Sequence, residues 1–96
     1  MTNKLLITGL ITQLVNDFNR YSELVALNYE QKKEGQIDEG TLQWNRGSLD
    51  KIEEHLAMIA EAAGVSLYWM FGAHDFGFDD WKRVLSYRTV RAEWGK

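Results

Sequence analysis

The sequence predicts an all-α protein: a long antiparallel helical hairpin, a short apolar segment and a C-terminal helix. Two stretches, residues 7–28 and residues 42–63, place apolar residues at alternating steps of four and three. This spacing is typical of one face of an α-helix. The two stretches mirror each other about residue 36, so a reversal of the chain there would bring their apolar faces together as an antiparallel pair.

The first helix is predicted over residues 3–33. Thr2 or Asn3 can accept hydrogen bonds from the free backbone donors of its first turn. Lys32 and Lys33 suit the negative end of the helix dipole, and Gly35 suits the position just after a helix end.

The second helix is predicted over residues 38–63. Asp38 can cap its N-terminus, and Gly64 can end it in the left-handed conformation that glycine adopts readily. In the predicted register Phe18 lies opposite Leu56, and Asn28 lies opposite Asn45. A paired amide inside an apolar seam fixes the alignment of two helices.

The last third of the chain predicts two further elements of one domain that spans residues 1–96. Residues 65–71 form a short apolar element, which is either one or two helical turns or a buried strand, because so short a run does not declare its period. Residues 79–94 predict a last helix, with Asp79 or Asp80 as its cap and an apolar stripe that starts at Trp81.

Composition excludes several classes of protein. The 96 residues contain no cysteine, so a disulfide scaffold or a thiolate site is impossible, and a cytoplasmic location is expected. No apolar run approaches the roughly 20 residues that a membrane span needs. The net charge of −3 is uneven: residues 82–96 are basic, whereas the preceding chain is acidic. The basic tail therefore either docks on the acidic body or faces a partner.

The chain offers little that resembles catalytic chemistry. His74, Asp75, Asp79 and Asp80 are the one cluster suited to a divalent metal, but the only other histidine, His55, lies in mid-helix. Helix capping explains the two later aspartates more simply. No serine has a readable base, and no glycine-rich loop follows a strand. We therefore expect no enzyme, no metal and no cofactor.

Aromatic side chains are concentrated in the last third of the chain. They would pack that third onto the hairpin, form a surface for a protein partner, or stack on nucleobases. The members of this group are Trp69, Phe71, Phe76, Phe78, Trp81, Tyr87 and Trp94.

Residues 41–72 partly resemble a known family. The segment LAMIAEAAGVSLYWMFG, residues 56–72, is similar to the closing helices of lambda-repressor-type (Xre-like) helix-turn-helix proteins, and TLQWNRG, residues 41–47, is similar to the end of their recognition helix. The resemblance implies DNA binding through Arg46 and the basic tail. However, the recognition helix would open with Asp38 and Glu39, whose charges repel phosphate.

The function that best fits this composition and the lack of catalytic motifs is non-enzymatic binding of a protein partner by a homodimer. A more specific version is a phage or mobile-element inhibitor of a host nucleoprotein, in the manner of anti-CRISPR proteins, whose acidic faces replace nucleic-acid phosphates. The alternatives are a helix-turn-helix transcriptional regulator and a structural dimerisation protein. The predicted partner-binding residues are Glu30, Glu34, Asp38, Glu39, Trp69, Phe71, Phe76, Phe78 and Trp94.

Overall fold

A helical hairpin and a β-hairpin pack side by side in the computed structural model, which describes residues 2–78 and 81–94, with side chains over residues 4–72 and 87–94. The helices are α1 (Thr2–Lys33) and α2 (Glu39–Ala63), and the strands are β1 (Val65–Phe78) and β2 (Trp81–Trp94). The two strands form one antiparallel sheet. The molecule measures 53 × 26 × 16 Å.

The helical hairpin confirms the sequence prediction. Helix α1 ends in a Schellman motif: the Gly35 N–H donates to the carbonyl of Lys32, and the Gln36 N–H donates to that of Gln31. Gly35 adopts the required positive φ of 74°. This local geometry turns the chain back towards α2.

Both ends of α2 also form as predicted. The Asp38 carboxylate accepts a 2.8 Å hydrogen bond from the Thr41 N–H, so Asp38 is the N-cap and the helix begins one residue later. At the other end, Gly64 has φ 71°, and its N–H donates to the carbonyls of Ala60 and Glu61. The positive φ explains why glycine stands between α2 and β1.

The predicted register of the hairpin is confirmed at its amide pair. Asn45 Nδ2 donates to Asn28 Oδ1 at 2.6 Å, and Asn28 Nδ2 in turn donates to Gln31 Oε1 at 2.9 Å. Asn28 is buried. Because each amide finds a partner, the pair holds the two helices in one alignment without leaving a buried polar group unsatisfied.

The predicted C-terminal helix is wrong, and with it the all-α class. Residues 79–94 contain strand β2 rather than a helix, and residues 65–71 form the first half of β1. The strands pair from Val65 opposite Trp94 to Phe78 opposite Trp81. Aromatic and β-branched residues, which pack well across paired strands, outweigh the imperfect helical stripe. The expected capping by Asp79 or Asp80 falls on residues outside those described.

The core lies where one face of the sheet covers the groove between the two helices. Phe18 and Leu56 from the helical hairpin are completely buried there, and Val90 of β2 is nearly so. The full set of buried core residues is Ile11, Phe18, Leu56, Ala60, Val65 and Val90. The first part of β1 and the last part of β2 therefore anchor the β-hairpin to the helices.

Part of the helical flank stays uncovered. Leu6, Leu10, Leu24 and Met58, four of the apolar residues outside the hairpin seam, remain exposed. The sheet covers the seam side of the helices instead. Among the described residues, neither helix is both long enough and apolar enough to cross a membrane.

Candidate protein-interaction surface

The outer edge of β2 is covered by side chains of α1. The Val90 N–H donates to Asn19 Oδ1 at 2.7 Å, and Asn19 Nδ2 donates to the Val90 carbonyl at 3.0 Å. Ser22 Oγ donates to the carbonyl of Arg88. The Asn19 amide therefore makes the pair of bonds that a neighbouring strand would make, and this edge is closed to further pairing at residues 88–90.

These bonds also fix which backbone groups point outward on β1. Residues of an antiparallel pair that stand directly opposite each other direct their N–H and C=O groups either both towards or both away from the partner strand. Val90 and Arg88 direct theirs away from β1, and they stand opposite Trp69 and Phe71. Trp69 and Phe71 therefore present their backbone groups on the outer edge of β1.

The outer edge of β1 is open where β2 is closed. No other strand pairs with β1 in residues 2–78 and 81–94, and over residues 65–72, where side chains are described, no hydrogen bond joins it to a helix. Phe71 is 83% exposed and Trp69 is 37% exposed, and the side chains between and beside them are exposed too. We call residues 68–71 the β1 surface; along this edge Trp69 and Phe71 lie on one face of the sheet, and Tyr68 and Met70 lie on the other.

Arg88 holds Trp69 in place on the helix-facing side of the sheet. Its guanidinium lies 5.0 Å from the Trp69 ring centroid and 5.7 Å from that of Phe18, and it donates to the carboxylate of Glu53. The Phe18 and Trp69 rings meet edge to face, with centroids 5.2 Å apart. Such contacts hold the indole in one orientation.

The opposite side of the sheet is a second, more polar face. The Arg91 guanidinium lies 5.6 Å from the ring centroid of Tyr68, the residue directly opposite it, and donates to Glu93 at 2.9 Å. Further along, Tyr87 stands opposite Gly72, and a Cβ at Gly72 would lie 2.9 Å from the tyrosine ring. The ring therefore covers the glycine, an arrangement that supports an otherwise weak position in a strand.

The four predicted acidic residues do not form one acidic surface. Glu30 is 5% exposed, whereas Glu34 is exposed. The backbone N–H of Thr41 lowers the pKa of Asp38. Glu39 pairs with Lys32, which lowers the pKa of the Glu39 carboxyl, and Gln43 donates to it as well. All four lie near the helix turn, away from the β1 surface.

Of the predicted aromatic residues whose side chains the structure describes, Trp69 and Phe71 lie together on β1 and Trp94 does not. Trp94 is exposed at the other end of β2, where it lines a cleft of about 220 Å³ with Thr12 and Asn16. Phe76 and Phe78 belong to β1, but their side chains are outside the described set. Tyr68 and Met70, which the sequence analysis did not single out as site residues, complete the β1 surface.

The sequence contained a signal for some of the site residues that the sequence analysis did not name, and none for others. Residues 65–73 form an uncharged run, a signal that predicts an unprotected edge once the run is known to be a strand. No sequence signal predicts that Asn19 and Ser22 bond to the edge of β2, because polar residues on a helix normally face solvent.

The residues considered for metal or DNA binding have other positions. Among the side chains that the structure describes, no group of three or more His, Cys, Asp or Glu is placed to hold a metal ion. Arg46 donates to the Tyr29 hydroxyl at 2.9 Å. Arg88 and Arg91 make the contacts described above, while the Arg83 side chain is outside the described set.

Residues 41–72, which resemble the helix-turn-helix family, form most of α2 and the first part of β1. Residues 41–63 lie in one uninterrupted helix, and residues 65–72 lie in strand β1. Comparison of the chain with protein families, curated proteins and solved structures finds no match. Function is therefore inferred from the surfaces of this chain alone.

Proposed function

We propose that this protein is a non-enzymatic protein-interaction module that binds through the β1 surface and the open edge of β1. The observation that carries the proposal is the contrast on one hairpin: α1 closes the edge of β2, while β1 presents exposed aromatic side chains beside outward-pointing backbone groups. A protein partner would add a strand to β1 and cover the side chains of residues 68–71.

Two features of the β1 surface support binding of protein. Aromatic and methionine side chains are enriched at protein interfaces, and the β1 surface contains three aromatic residues and one methionine. Trp69 is already oriented by Phe18 and Arg88, which reduces the entropy lost when a partner binds.

The acidic residues give weaker support to the more specific proposal, inhibition of a host nucleoprotein, than the β1 surface gives to protein binding in general. Inhibition of a host nucleoprotein through phosphate mimicry requires several uncompensated carboxylates on one surface. Of the four predicted residues, Glu30 is buried and Glu39 is paired with Lys32. Replacement of Glu30, Glu34, Asp38 and Glu39 by their amides would reduce binding to such a partner if mimicry operates, and an unchanged affinity would contradict it.

Site-specific photo-cross-linking in cells that naturally produce the protein tests the proposal. A photoreactive amino acid replaces Phe71, and in a matched control it replaces Trp44, which is 78% exposed on α2. Both positions are exposed aromatic residues, so they differ in location rather than in chemistry. We expect a discrete protein adduct from position 71 and none of the same mass from position 44.

Two results would contradict the proposal. One is the absence of any discrete adduct from position 71, and the other is the same set of adducts from both positions. An adduct with a second copy of the chain and an adduct with a different protein both agree with it, and mass spectrometry separates the two.

A further inference from the structure

Resting on the proposed function, we infer that the partner of β1 is the β1 strand of a second copy of this chain. The two strands pair in antiparallel orientation about a two-fold axis at Trp69, and the two hairpins join into one four-stranded sheet. Leu67, Trp69 and Phe71 are alternate residues, so all three direct their backbone N–H and C=O groups towards the second copy.

The side chains of β1 suit pairing with themselves. With the axis at Trp69, Leu67 faces the partner's Phe71, Trp69 faces the partner's Trp69, and Tyr68 faces the partner's Met70. Thioether–aromatic and aromatic–aromatic contacts are favourable pairs across strands. No charged residue occurs in residues 65–73, of which Trp69 is the centre. A two-fold interface with charges directly opposite like charges would be destabilised, and this register avoids that cost.

Other registers shorten the stretch over which the two uncharged segments pair. Moving the axis two residues towards the C-terminus, to Phe71, would bring Asp75 opposite Leu67 and shorten the uncharged overlap. Moving it to Leu67 would pair the strand against Gly64 and the end of α2. The uncharged segment pairs with itself completely only about Trp69.

The assembly also ends at two copies. After pairing, the outermost strands of the sheet are the two β2 strands, and Asn19 and Ser22 of each copy already occupy their outer edges at Arg88 and Val90. Each Arg88 keeps its own Glu53 as a counter-charge beside Trp69. An open apolar edge alone predicts aggregation, whereas this arrangement closes both edges in a dimer.

The first test measures the mass of the purified protein in solution by sedimentation equilibrium from low to high micromolar concentration. We expect a reversible dimer without larger species. Phe71→Lys should weaken dimerisation about tenfold or more, because it puts a charge opposite the partner's Leu67 inside the apolar interface. The matched control is Leu6→Lys, on the exposed flank of α1, which should dimerise as the wild type does. Circular dichroism establishes that both variants remain folded.

The second test reads the register by disulfide formation, for which the chain provides a cysteine-free background. Differently tagged Tyr68→Cys and Met70→Cys chains are mixed and oxidised. Directly opposed residues of a non-hydrogen-bonded pair have Cα atoms about 4.5 Å apart, within the range of a disulfide. The mixed pair should therefore cross-link faster than either variant alone, and faster than Glu54→Cys on α2.

Three results would overturn the inference: a monomer at every concentration, a dimer that Leu6→Lys disrupts and Phe71→Lys does not, or cross-linking at equal rates in all pairs. A monomeric purified protein whose position 71 still captures a different protein in cells would overturn the dimer and leave the proposed function standing. If position 71 captures nothing as well, both fail.

Discussion

The two edges of the β-hairpin differ although they belong to one small sheet. The edge of β2 is bonded to Asn19 and Ser22 at residues 88–90 and carries charged residues, while the edge of β1 is uncharged over residues 65–73 and bears the exposed Phe71. The comparison shows that a helix can close a strand edge with two polar side chains. The closed edge of β2 leaves the edge of β1 as the place where a further strand could pair.

Detaching the sheet from the helices should destabilise the protein most. Phe18 and Leu56 are both fully buried, and Phe18 also contacts Trp69. Phe18→Asp or Leu56→Asp should each lower the free energy of unfolding by about 3–5 kcal/mol, because each buries an unpaired charge in place of an apolar side chain. Chemical denaturation measures the loss. Leu10→Asp, at an exposed position of α1, is the control, and near-wild-type stability of either core variant would contradict the packing described.

Removing the bonds that close the edge of β2 should lower the free energy of unfolding by a smaller amount. Asn19→Leu leaves the N–H and C=O of Val90 without their partner, and we expect a loss of about 2 kcal/mol in the free energy of unfolding. Amide hydrogen exchange at Val90 should accelerate in the same variant. Asn16→Leu, one turn earlier on α1 and exposed, is the matched control. Equal effects of the two variants would mean that Asn19 does not close the edge.

Removing the Arg88 side chain that contacts Trp69 should lower the stability by less again. Arg88→Met removes the ion pair with Glu53 and the cation–π contacts with Trp69 and Phe18. We expect a loss of about 1 kcal/mol, since these groups are partly exposed to solvent. Thermal denaturation monitored by tryptophan fluorescence measures it. Arg91→Met, on the outer face, should change stability less, and the reverse order would argue against the role given to Arg88.

Changing the open edge should barely alter the stability of the single chain. Phe71→Thr replaces an exposed residue with one that favours strands, so we expect a change within about 0.5 kcal/mol. Denaturation in dilute solution, below the concentration at which copies associate, checks this expectation. A large destabilisation there would show that Phe71 supports the fold of its own chain.

The smallest effect concerns the helix turn, far from both edges. The folded-state pKa of Asp38 is lowered because the carboxylate accepts a bond from the Thr41 N–H. The contribution of this cap to stability is therefore present above the ordinary carboxyl pKa and is lost as the pH falls below about 4. Asp38→Asn keeps a capping oxygen and should flatten the acid side of a plot of melting temperature against pH. An unchanged slope would contradict this role of the carboxylate.

The sequence analysis named two residues of the candidate site. Trp69 and Phe71 were predicted as partner-binding residues, and both belong to the β1 surface. Trp94 and the acidic group were predicted with them but lie elsewhere, because sequence proximity and composition do not say which side chains share a surface. Tyr68 and Met70 join the site only because they lie in an edge strand.

The helical hairpin was determined by the sequence itself. Its signals are local: Asp38 caps α2, glycines at positions 35 and 64 end the helices, and the facing pair Asn28 and Asn45 sets their alignment. The two strands, in contrast, depend on partners that are distant in the sequence. Residues 65–78 and 81–94 are strands because each supplies the other's backbone partners, and α1 supplies those of the edge left over at Val90. These bonds join residues up to 71 positions apart, and no local pattern encodes such partners.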